Sequence, residues 1–393
     1  MKILVINAGS SSIKYALFKF PSTKCLLKGT VEKIGEKNSL HHYSLKEQHQ
    51  QKQILAIDNH QQALKLIVET LAEIKLSLNQ LDAIAHRVVH GGEIFQQPTV
   101  INAKRIEQLK QLIPLAPLHN PANILGIETA IKLAPTIKQI AIFDTAFHHT
   151  LPEHAARYPI PDNWYQQNIR RYGFHGTSHA YVAKQTAKML DKPLKKLNLI
   201  SLHLGNGASA CAIQQGASID TSMGFTPQEG LMMGTRCGDI DSSVYPYLAE
   251  QSQLPVSEIN RLLNQESGLK GIAGTNDMRE IHTLIAKGDE KAKLAFNMCC
   301  YRIKKYIGAY YAALGRLDAL IFTGGIGEND EKLRAKCCHH LENLGLLIHP
   351  KKNQAANGKT RFIHHNHQKI AILVVKTDEE LEIAQQAIEL LSS

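Results

Sequence analysis

Three short segments of this sequence carry residues that could bind phosphate groups. "INAGSSSIKY" (6–15) joins two apolar runs through a glycine, three serines and Lys14, while "LHLGNGAS" (202–209) and "IFTGGIGEN" (321–329) follow apolar runs with glycines. Consecutive backbone N–H groups in such turns form anion nests, and hydroxyls and a lysine add donors. An ordinary hairpin is the alternative for each turn alone, but three such turns in one chain favour phosphate binding. The chain has no G-x-x-x-x-G-K-[ST] motif and no protein-kinase catalytic loop.

Two arginines stand in segments that could bind a second anion. Arg87 lies near the end of a predicted strand in "AHRVVHGG", and Arg236 lies in the glycine-flanked loop "MGTRCGD". A buried guanidinium needs an anionic partner, so Arg87 forms either a structural salt bridge or a ligand contact. Two arginines together could bind a carboxylate and a transferring phosphoryl group.

Acidic side chains could bind a metal ion for such a transfer. Asp144 ends the apolar run "QIAIFD", and a carboxylate at the carboxyl end of a strand is well placed for catalysis. We assign it to magnesium through water. Thr377-x-x-Glu380 predicts a helix capping box, which leaves Glu379 as the metal ligand. Asn7 is a further magnesium candidate at the first turn.

Three histidines are candidates of different weight. His175 in "GFHGTSH" precedes a predicted helix whose N-cap is Thr177 or Ser178, and a histidine bonded to that helix end is its alternative role. His179 is expected to be structural. His119 in "PLHNP" is a weaker candidate for substrate contact.

Length and composition limit the class of protein. The 393 residues are enough for two domains, with 44% hydrophobic and 20% charged residues. No apolar stretch is long enough for a membrane span, and Asn7 interrupts the first apolar run too early for a secretory signal. Seven cysteines without C-x-x-C spacing suit a reducing, cytoplasmic location, and adjacent residues in "CCHH" (337–340) would point to different helix faces rather than to one metal.

The net charge of +10 comes from dispersed lysines. No basic run or basic–aromatic array indicates nucleic acid, so a small anionic substrate explains the charge as well.

Predicted strands and helices recur along the whole chain, which indicates an α/β protein. The strands are expected at 2–7, 13–19, 83–89, 139–144, 197–203, 208–213, 317–323 and 370–375. The helices are expected at 60–77, 103–113, 178–190, 289–315, 330–345 and 378–392, with a core stripe of Cys299, Ile303, Ile307, Tyr310 and Leu314. The polar segment 36–60 is expected to be a surface hairpin or loop. The matching plan of 2–18 and 197–213 predicts a duplicated domain with a cleft between the halves.

Long motifs of this chain resemble the acetate kinase family. They are "INAGSSSIKY", "AHRVVHGGEIF", "APLHNP", "FDTAFH", "RRYGFHGTSH", "LHLGNGAS", "DTSMGFTPQEGLMMGTRCGDID", "FTGGIGEN" and "TDEELEIA". The resemblance runs from residue 2 to about residue 387. Two departures are a "GIAGTNDMR" segment that looks one residue shorter than the family pattern, and Gly324 where the family commonly has alanine.

The resemblance implies a fold and a reaction. The fold is the two-domain α/β fold of actin, sugar kinases and heat-shock chaperones, with a mixed five-stranded sheet in each domain and ATP in the cleft between them. The N-terminal, acyl-substrate domain would comprise 1–148 plus 380–393, with the last helix crossing back, and the nucleotide-binding domain would comprise 149–379. The reaction is reversible, magnesium-dependent transfer of the ATP γ-phosphoryl to acetate, by direct in-line transfer, in a cytoplasmic homodimer. Mn²⁺ is a possible substitute metal.

The resemblance also assigns roles to individual residues. Asp144, His175 and Arg236 would be catalytic, with His175 contacting the equatorial oxygens of the phosphoryl group, and Asn7 and Glu379 would bind the metal. Arg87 would bind the substrate carboxylate, His119 is a further candidate for contact with the substrate, and Val89, Leu118, Phe174 and Pro227 would surround its methyl group. The nucleotide contacts would be Ser10, Ser12, Lys14, His203, Leu204, Gly205, Asn206, Gly207, Asp277, Met278, Arg279, Gly325, Ile326, Gly327, Glu328 and Asn329.

Three alternatives stay open at this point. Propionate kinase is a sister activity with the same site, because one extra methylene changes discrimination by only ~1–3 kcal/mol. Butyrate kinase fits the motifs less well. A nucleotide-driven clamp like the actin and chaperone relatives would need ATP but no arginine pair for a small carboxylate, so Arg87 and Arg236 favour the kinase.

Overall fold

The computed structural model describes residues 1–45, 49–355 and 358–393. The chain divides into unit 1, which comprises Met1–Phe147 and Asp378–Ser393, and unit 2, which comprises His148–Thr377. Which unit binds the nucleotide and which binds the acyl substrate stays a prediction.

Unit 1 is built on a mixed sheet with the strand order β5-β4-β3-β2-β1-β6-β8-β7. Its strands are β1 (Lys2–Ala8), β2 (Ser12–Lys19), β3 (Lys24–Glu32), β4 (Ser39–Leu45), β5 (His49–Leu55), β6 (Ala83–Val88), β7 (Thr99–Val100) and β8 (Lys138–Phe143). Its helices are α1 (His60–Glu73), α2 (Ala103–Gln111), α3 (Asn120–Leu133) and the C-terminal helix, numbered last as α15 (Glu379–Ser392). Strands β1 to β5 are antiparallel neighbours, and β1, β6 and β8 are parallel.

The apolar run of β1 is buried because both faces of the sheet are covered. Ile3 and Val5 pack in a cluster with α15, where Ala384 is fully buried. Leu4 and Ile6 point to the other face and pack in a second cluster with residues of α1 and α3. A strand with two covered faces reads as a continuous apolar run rather than an alternating one.

Unit 2 repeats this plan with the strand order β11-β10-β9-β12-β14-β13. Its strands are β9 (Asn198–Leu204), β10 (Ala208–Gln214), β11 (Ala217–Thr221), β12 (Ala319–Thr323), β13 (Arg361–Phe362) and β14 (Ala371–Val374). Its helices are α4 (Glu153–Ala156), α5 (Asp162–Tyr165), α6 (Gly176–Met189), α7 (Val244–Ser252), α8 (Val256–Gln265), α9 (Gly268–Ala273), α10 (Met278–Ala286), α11 (Glu290–Leu314), α12 (Gly324–Asn329), α13 (Glu331–Cys338) and α14 (Pro350–Gln354). Strands β9, β12 and β14 are parallel, as β1, β6 and β8 are.

Within the described residues the sheets have eight and six strands, so the expectation of five strands in each sheet is wrong in number. Five strands in each sheet share one pattern: three antiparallel strands are followed by two more strands parallel to the third. The order is β3-β2-β1-β6-β8 in unit 1 and β11-β10-β9-β12-β14 in unit 2. The additional strands lie at sheet edges: the β4–β5 hairpin and β7 in unit 1, and β13 in unit 2. Segment 36–60 contains this hairpin, and its Tyr43 side chain belongs to the core of unit 1. Residues 46–48, which join its strands, lie outside the described residues.

Two predicted helices are shorter than expected. The helix expected at 60–77 ends at Glu73, and Lys75 has a φ of 57°. The helix expected at 330–345 is α13, which ends at Cys338, because His339 is extended and His340 has a φ of 65°. The predicted core stripe of α11 is confirmed, since Cys299, Ile303, Ile307, Tyr310 and Leu314 are all buried.

Candidate functional site

In unit 1, the candidate residues collect where the parallel strands end. Arg87 lies on β6, and Asp144 directly follows β8, which pairs with β6. The guanidinium binds the carboxylate through two nitrogens: Nε lies 2.9 Å from Oδ1 and Nη2 lies 2.6 Å from Oδ2. Arg87 therefore forms the salt bridge that the sequence left as its alternative role.

Burial and charge oppose each other in this ion pair. Burial raises the pKa of Asp144 above its usual range, and the charge of Arg87 opposes that rise. Burial lowers the pKa of Arg87, but the charges of Asp144 and Glu379 raise it above the ordinary arginine value. Arg87 Nη1 makes no hydrogen bond to the residues that the structure describes, and its side chain is 20% exposed. One nitrogen of the fork is thus available to a ligand.

Glu379 and Asn7 complete the acidic side of this region. Glu379 is the first residue of α15, and its charge acts on both Arg87 and Asp144. Asn7 is half-buried next to the end of β1. The described part of the chain has no group of three or more His, Cys, Asp or Glu side chains that could bind a metal alone. Two carboxylates and an amide oxygen do suit Mg²⁺, which takes oxygen ligands and is often bound by one or two carboxylates together with substrate phosphates.

The predicted capping box at the start of α15 is wrong. The N-cap is Asp378, whose carboxylate accepts a hydrogen bond from the Leu381 amide. Glu380 instead forms a salt bridge with Lys28 at 3.2 Å. Glu380 is still occupied by a structural contact, so Glu379 stays the candidate metal ligand for a different reason.

Two asparagines that the sequence analysis missed connect the strand ends of unit 1. Asn123 donates to the Ala8 carbonyl at 2.6 Å and accepts from the Val89 amide at 3.0 Å. Asn120 exchanges hydrogen bonds with the backbone of His90. Both lie in the first turns of α3, directly after the candidate His119, which is the N-cap of that helix. Both asparagines lie beside the candidate His119 in the segment "HNPAN" (119–123), and this proximity could have identified them as site residues.

The first glycine turn leaves polar groups without protein partners. Gly9 closes the turn by donating to the Ser12 carbonyl at 2.7 Å. Among residues 1–45, 49–355 and 358–393, nothing hydrogen-bonds the hydroxyls of Ser10 and Ser12 or forms an ion pair with the exposed Lys14. These donors are available to an anion.

In unit 2, His175 and Arg236 approach the second glycine turn. A Cβ added at Gly207 would lie 3.4 Å from His175 Nε2 and 3.7 Å from Arg236 Nη1. Burial lowers the pKa of Arg236, whose Nη1 donates to the Pro227 carbonyl at 3.1 Å. No carboxylate in the described residues pairs with Arg236, so its charge is not balanced within the unit.

His175 is itself the N-cap of α6, with a φ of 56°, so the prediction of Thr177 or Ser178 as N-cap is wrong. Both of those residues are buried inside the first helical turn. Ser178 instead hydrogen-bonds His203 Nδ1 at 2.7 Å, and the ring of His203 stacks on that of His175 with centroids 4.3 Å apart. His179 is fully buried, and its two ring nitrogens lie within hydrogen-bond distance of Ser201 and Ser209.

The loop that carries Arg236 is fastened to the same turn. The Gly234 amide donates to the Asn206 carbonyl at 2.9 Å, and a Cβ at Gly234 would lie 2.0 Å from Asn206 Oδ1. The Asn276 side-chain amide also donates to Asn206 Oδ1, at 2.8 Å. Glycine at position 234 permits this close approach without a shift of the Asn206 side chain.

A cavity of about 680 Å³ opens beside this turn within unit 2. This volume suits a drug-sized or nucleotide-sized ligand. Its wall includes the predicted residues Gly205, Asn206, Asp277, Met278, Arg279, Gly325, Ile326 and Asn329. It also includes Asn276, His282, Asp330, Glu331 and Lys332, which the sequence analysis missed.

Other predicted nucleotide contacts lie outside this cavity wall. Glu328 accepts from the backbone amides of Gly324 (3.2 Å) and Thr377 (3.1 Å), so its carboxylate connects α12 to the end of unit 2. Gly327 is buried, and its carbonyl accepts from Arg334. The "GGIGEN" segment is thus a short helix after β12 rather than an open turn.

The four predicted methyl-pocket residues are divided between the units. Val89 and Leu118 belong to unit 1, and Leu118 is 64% exposed. Phe174 and Pro227 belong to unit 2, where Phe174 is 2% exposed. Their common role as a pocket therefore stays a prediction.

Comparison with known proteins identifies close relatives along the full length. The family model described as the Acetokinase family matches residues 2–385. The acetate kinase of Sulfurovum sp. (strain NBC37-1) is 52% identical over 98% of each chain. The crystal structure of Porphyromonas gingivalis acetate kinase has a TM-score of 0.93 at 43% identity and 99% coverage of both chains. A propionate kinase from Francisella tularensis has a TM-score of 0.92 at 44% identity and 98% coverage of both chains.

Separately, among the described residues, no helix combines the length and the apolar composition that a membrane crossing requires.

Proposed function

The chain belongs to the acetokinase family, and on that premise we propose that it is an acetate kinase. It transfers the γ-phosphoryl group of ATP directly and reversibly to the carboxylate of acetate, giving acetyl phosphate and ADP. Acetate is ionised at neutral pH, because carboxyl groups have pKa values of about 4. The acceptor therefore needs no general base, and catalysis consists of positioning the reactants and neutralising their charge.

One observation carries this proposal. His175 Nε2 and Arg236 Nη1 both approach the Gly207 turn, and the residues before that turn line a cavity that suits a nucleotide. Arg236 has no carboxylate partner among the described residues, so an anionic ligand would balance its charge. We assign the transferring phosphoryl group to this turn, with Arg236 and His175 stabilising the planar group in the transition state.

Unit 1 supplies the acceptor side in this proposal. Arg87 is oriented by its two bonds to Asp144, and its remaining nitrogen, Nη1, binds the acetate carboxylate. His119 is a second contact for acetate. Lys14, Ser10 and Ser12 bind nucleotide phosphates, since the described residues leave their side chains without partners. The apolar residues Val89, Leu118, Phe174 and Pro227 surround the methyl group.

A divalent cation fits the acidic groups of unit 1. Asp144, Glu379 and Asn7 offer oxygen ligands that suit Mg²⁺, with Mn²⁺ as a substitute. When bound with ATP, the ion would neutralise phosphate charge. Asp144 would hold the ion through water, since both of its oxygens already accept from Arg87.

Propionate kinase is the second candidate, because the propionate kinase of Francisella tularensis is 44% identical to this chain. The same site would serve both acids, and the pocket around the methyl group would decide between them.

We further propose that the protein is a cytoplasmic homodimer. Light scattering coupled to size-exclusion chromatography tests the dimer, and a mass equal to one chain would contradict it.

A coupled assay of ADP release tests the function. Purified protein with magnesium and ATP is given acetate, propionate or butyrate across a concentration series, and acyl phosphate is trapped as its hydroxamate. We expect acetate to have the largest kcat/KM. A larger value for propionate would keep the mechanism and change the substrate. ADP release that does not depend on any carboxylate would contradict the kinase and favour a nucleotide-driven clamp. A mock purification from cells that lack this chain, carried out in parallel, controls for contaminating kinases.

A further inference from the structure

Behind His175, four side chains of unit 2 form a continuous hydrogen-bonded chain. Ser209 Oγ on β10 lies 2.8 Å from His175 Nδ1 and 2.8 Å from His179 Nε2. At the far end, Ser201 Oγ on β9 lies 2.9 Å from His179 Nδ1. Ser201, Ser209 and His179 are fully buried. The order of donors and acceptors in this chain decides which nitrogen of His175 carries its hydrogen.

Counting hydrogens selects one order. Burial lowers the pKa of His179 well below its ordinary value, so this imidazole is neutral and has a single N–H. The hydroxyl of Ser201 has no other hydrogen-bond partner in the described part of the chain, so its hydrogen is used only when it donates to His179 Nδ1. His179 then carries its hydrogen on Nε2 and donates it to Ser209 Oγ.

The same count continues to His175. Ser209 accepts from His179 and donates its own hydrogen to His175 Nδ1, so a neutral His175 carries its hydrogen on Nε2. The reverse order would leave the buried hydroxyl hydrogen of Ser201 without an acceptor, which is unfavourable. The Nε2 atom is the one that faces the Gly207 turn, where Arg236 also lies.

We infer that Ser209, supported by His179 and Ser201, is a positioning residue that keeps neutral His175 in its Nε2–H form. In this form His175 donates a hydrogen bond to the transferring phosphoryl group without carrying a charge. The step to the phosphoryl group rests on the proposed function, whereas the position of the hydrogen does not. No role for Ser209 or Ser201 follows from their positions in the sequence alone.

Several polar groups lie close to His175. They include the guanidinium of Arg236, which approaches the same Gly207 turn, the stacked ring of His203 on β9, and the chain through Ser209 to His179 on α6. Because Nε2 carries a hydrogen both in the charged ring and in this neutral form, a donor remains as the pH rises through the histidine range, and we expect kcat to stay level there.

Nitrogen-15 NMR of the full-length, histidine-labelled protein tests the hydrogen position directly. Long-range proton–nitrogen correlations distinguish the two neutral forms, and the His175 signals are identified by their loss in a His175→Gln variant. Above neutral pH we expect the Nε2–H form for His175. The Nδ1–H form would overturn the inference, and this result does not depend on activity.

Kinetics of serine variants test the consequence. In Ser209→Ala we expect kcat to fall about tenfold, part of the roughly 100-fold loss that removal of a whole oxyanion donor causes. We also expect kcat to decline as the pH rises past the ordinary histidine pKa of about 6.5, because only the charged ring then has a certain Nε2–H. The KM values should not change. Ser209→Thr retains the hydroxyl and should restore the level profile.

Two further variants keep this test decisive. Ser218→Ala is the matched control, because Ser218 is a fully buried serine that hydrogen-bonds a different histidine, His148, at 2.8 Å. It should leave kcat and its pH profile unchanged. Ser201→Ala breaks the chain at its far end and should weaken the pH independence of kcat. It takes the place of Ser209→Ala in the test if Ser209→Ala does not fold. A wild-type pH profile in both Ser209→Ala and Ser201→Ala would overturn the inference. If the wild-type protein has no kinase activity, the proposed function fails, and the NMR result still decides the tautomer.

Discussion

The two units each present an arginine near the edge where their parallel strands end, but the two arginines have opposite electrostatic surroundings. Arg87 is paired through two nitrogens with the buried Asp144. Arg236 is also partly desolvated, yet its hydrogen-bond partners among the described residues are neutral, a backbone carbonyl and the sulfur of Met233. The comparison teaches that one arginine is oriented by the protein itself, whereas the other leaves its charge for a ligand.

Replacing Arg236 should have the largest effect on activity. We expect Arg236→Ala to lower kcat by roughly 100-fold or more, because it removes a donor from the transferring group. Its free energy of unfolding should stay unchanged or increase, since a buried cation without a counter-charge is lost. Steady-state kinetics and urea unfolding measure the two effects.

Arg261→Lys is the matched control for that experiment. Arg261 is an exposed arginine that pairs with Glu258 on α8, so the change should affect neither kcat nor stability. A wild-type kcat in Arg236→Ala would remove Arg236 from the transition state.

Replacing Arg87 should affect stability where replacing Arg236 does not. In Arg87→Ala the carboxylate of Asp144 is buried without its partner, and we expect a loss of about 3 kcal/mol in the free energy of unfolding, together with a loss of activity. The double variant Arg87→Ala/Asp144→Asn should recover part of the stability but no activity. Urea unfolding of the two single variants and the double variant measures the coupling. Additive losses would show that the pair contributes no coupling, and would contradict the contrast between the arginines.

Acid should destabilise both units through histidines that are buried in their neutral form. Burial lowers the pKa of His86 in unit 1 and of His148 in unit 2 to about 4. The unfolded chain binds protons at these histidines below about 6.5, whereas the folded chain does not, so stability falls as the pH falls from about 6.5 towards 4.

His86→Gln should reduce that slope by up to ~1.4 kcal/mol per pH unit, the value for one proton. His148→Gln should do the same for unit 2. Urea unfolding at a series of pH values measures the slope, with the exposed His154 replaced by Gln as a control. An unchanged slope in both variants would show that these histidines bind protons in the folded protein.

The smallest effect is expected at the wall of the unit 2 cavity. Lys332 lines that cavity at the start of α13, and Lys332→Ala should raise KM for ATP about threefold with little change in kcat, as suits an exposed charge. Lys336 lies one turn further along the same helix and does not line this cavity, so Lys336→Ala is its control. Equal effects of the two changes would show that general charge, rather than this wall, acts on the nucleotide.

Local features of this protein were predictable because they depend on neighbouring residues. The buried stripe of α11 followed from the 3.6-residue period of its apolar side chains, and β1 followed from its apolar run. The two matched hairpins likewise predicted two sheets of one plan, which β1–β2 and β9–β10 confirm. The helix ends were less predictable, since His175 rather than Thr177 or Ser178 is the N-cap of α6. A histidine with a left-handed φ has no distinctive signal in the sequence.

The sequence alone determined the fold class, the family resemblance and the candidate site residues. Hydrophobic periodicity, turn chemistry and long motifs are all properties of contiguous residues. Only the tertiary structure decided which of these residues are partners. Arg87 and Asp144 are separated by 57 positions and meet because β6 and β8 are parallel neighbours. Ser201, Ser209 and His179 form one chain only because β9 and β10 pair beneath α6. Strand register and helix docking result from the packing of the whole core, so the hydrogen position on His175 was not readable from its own motif.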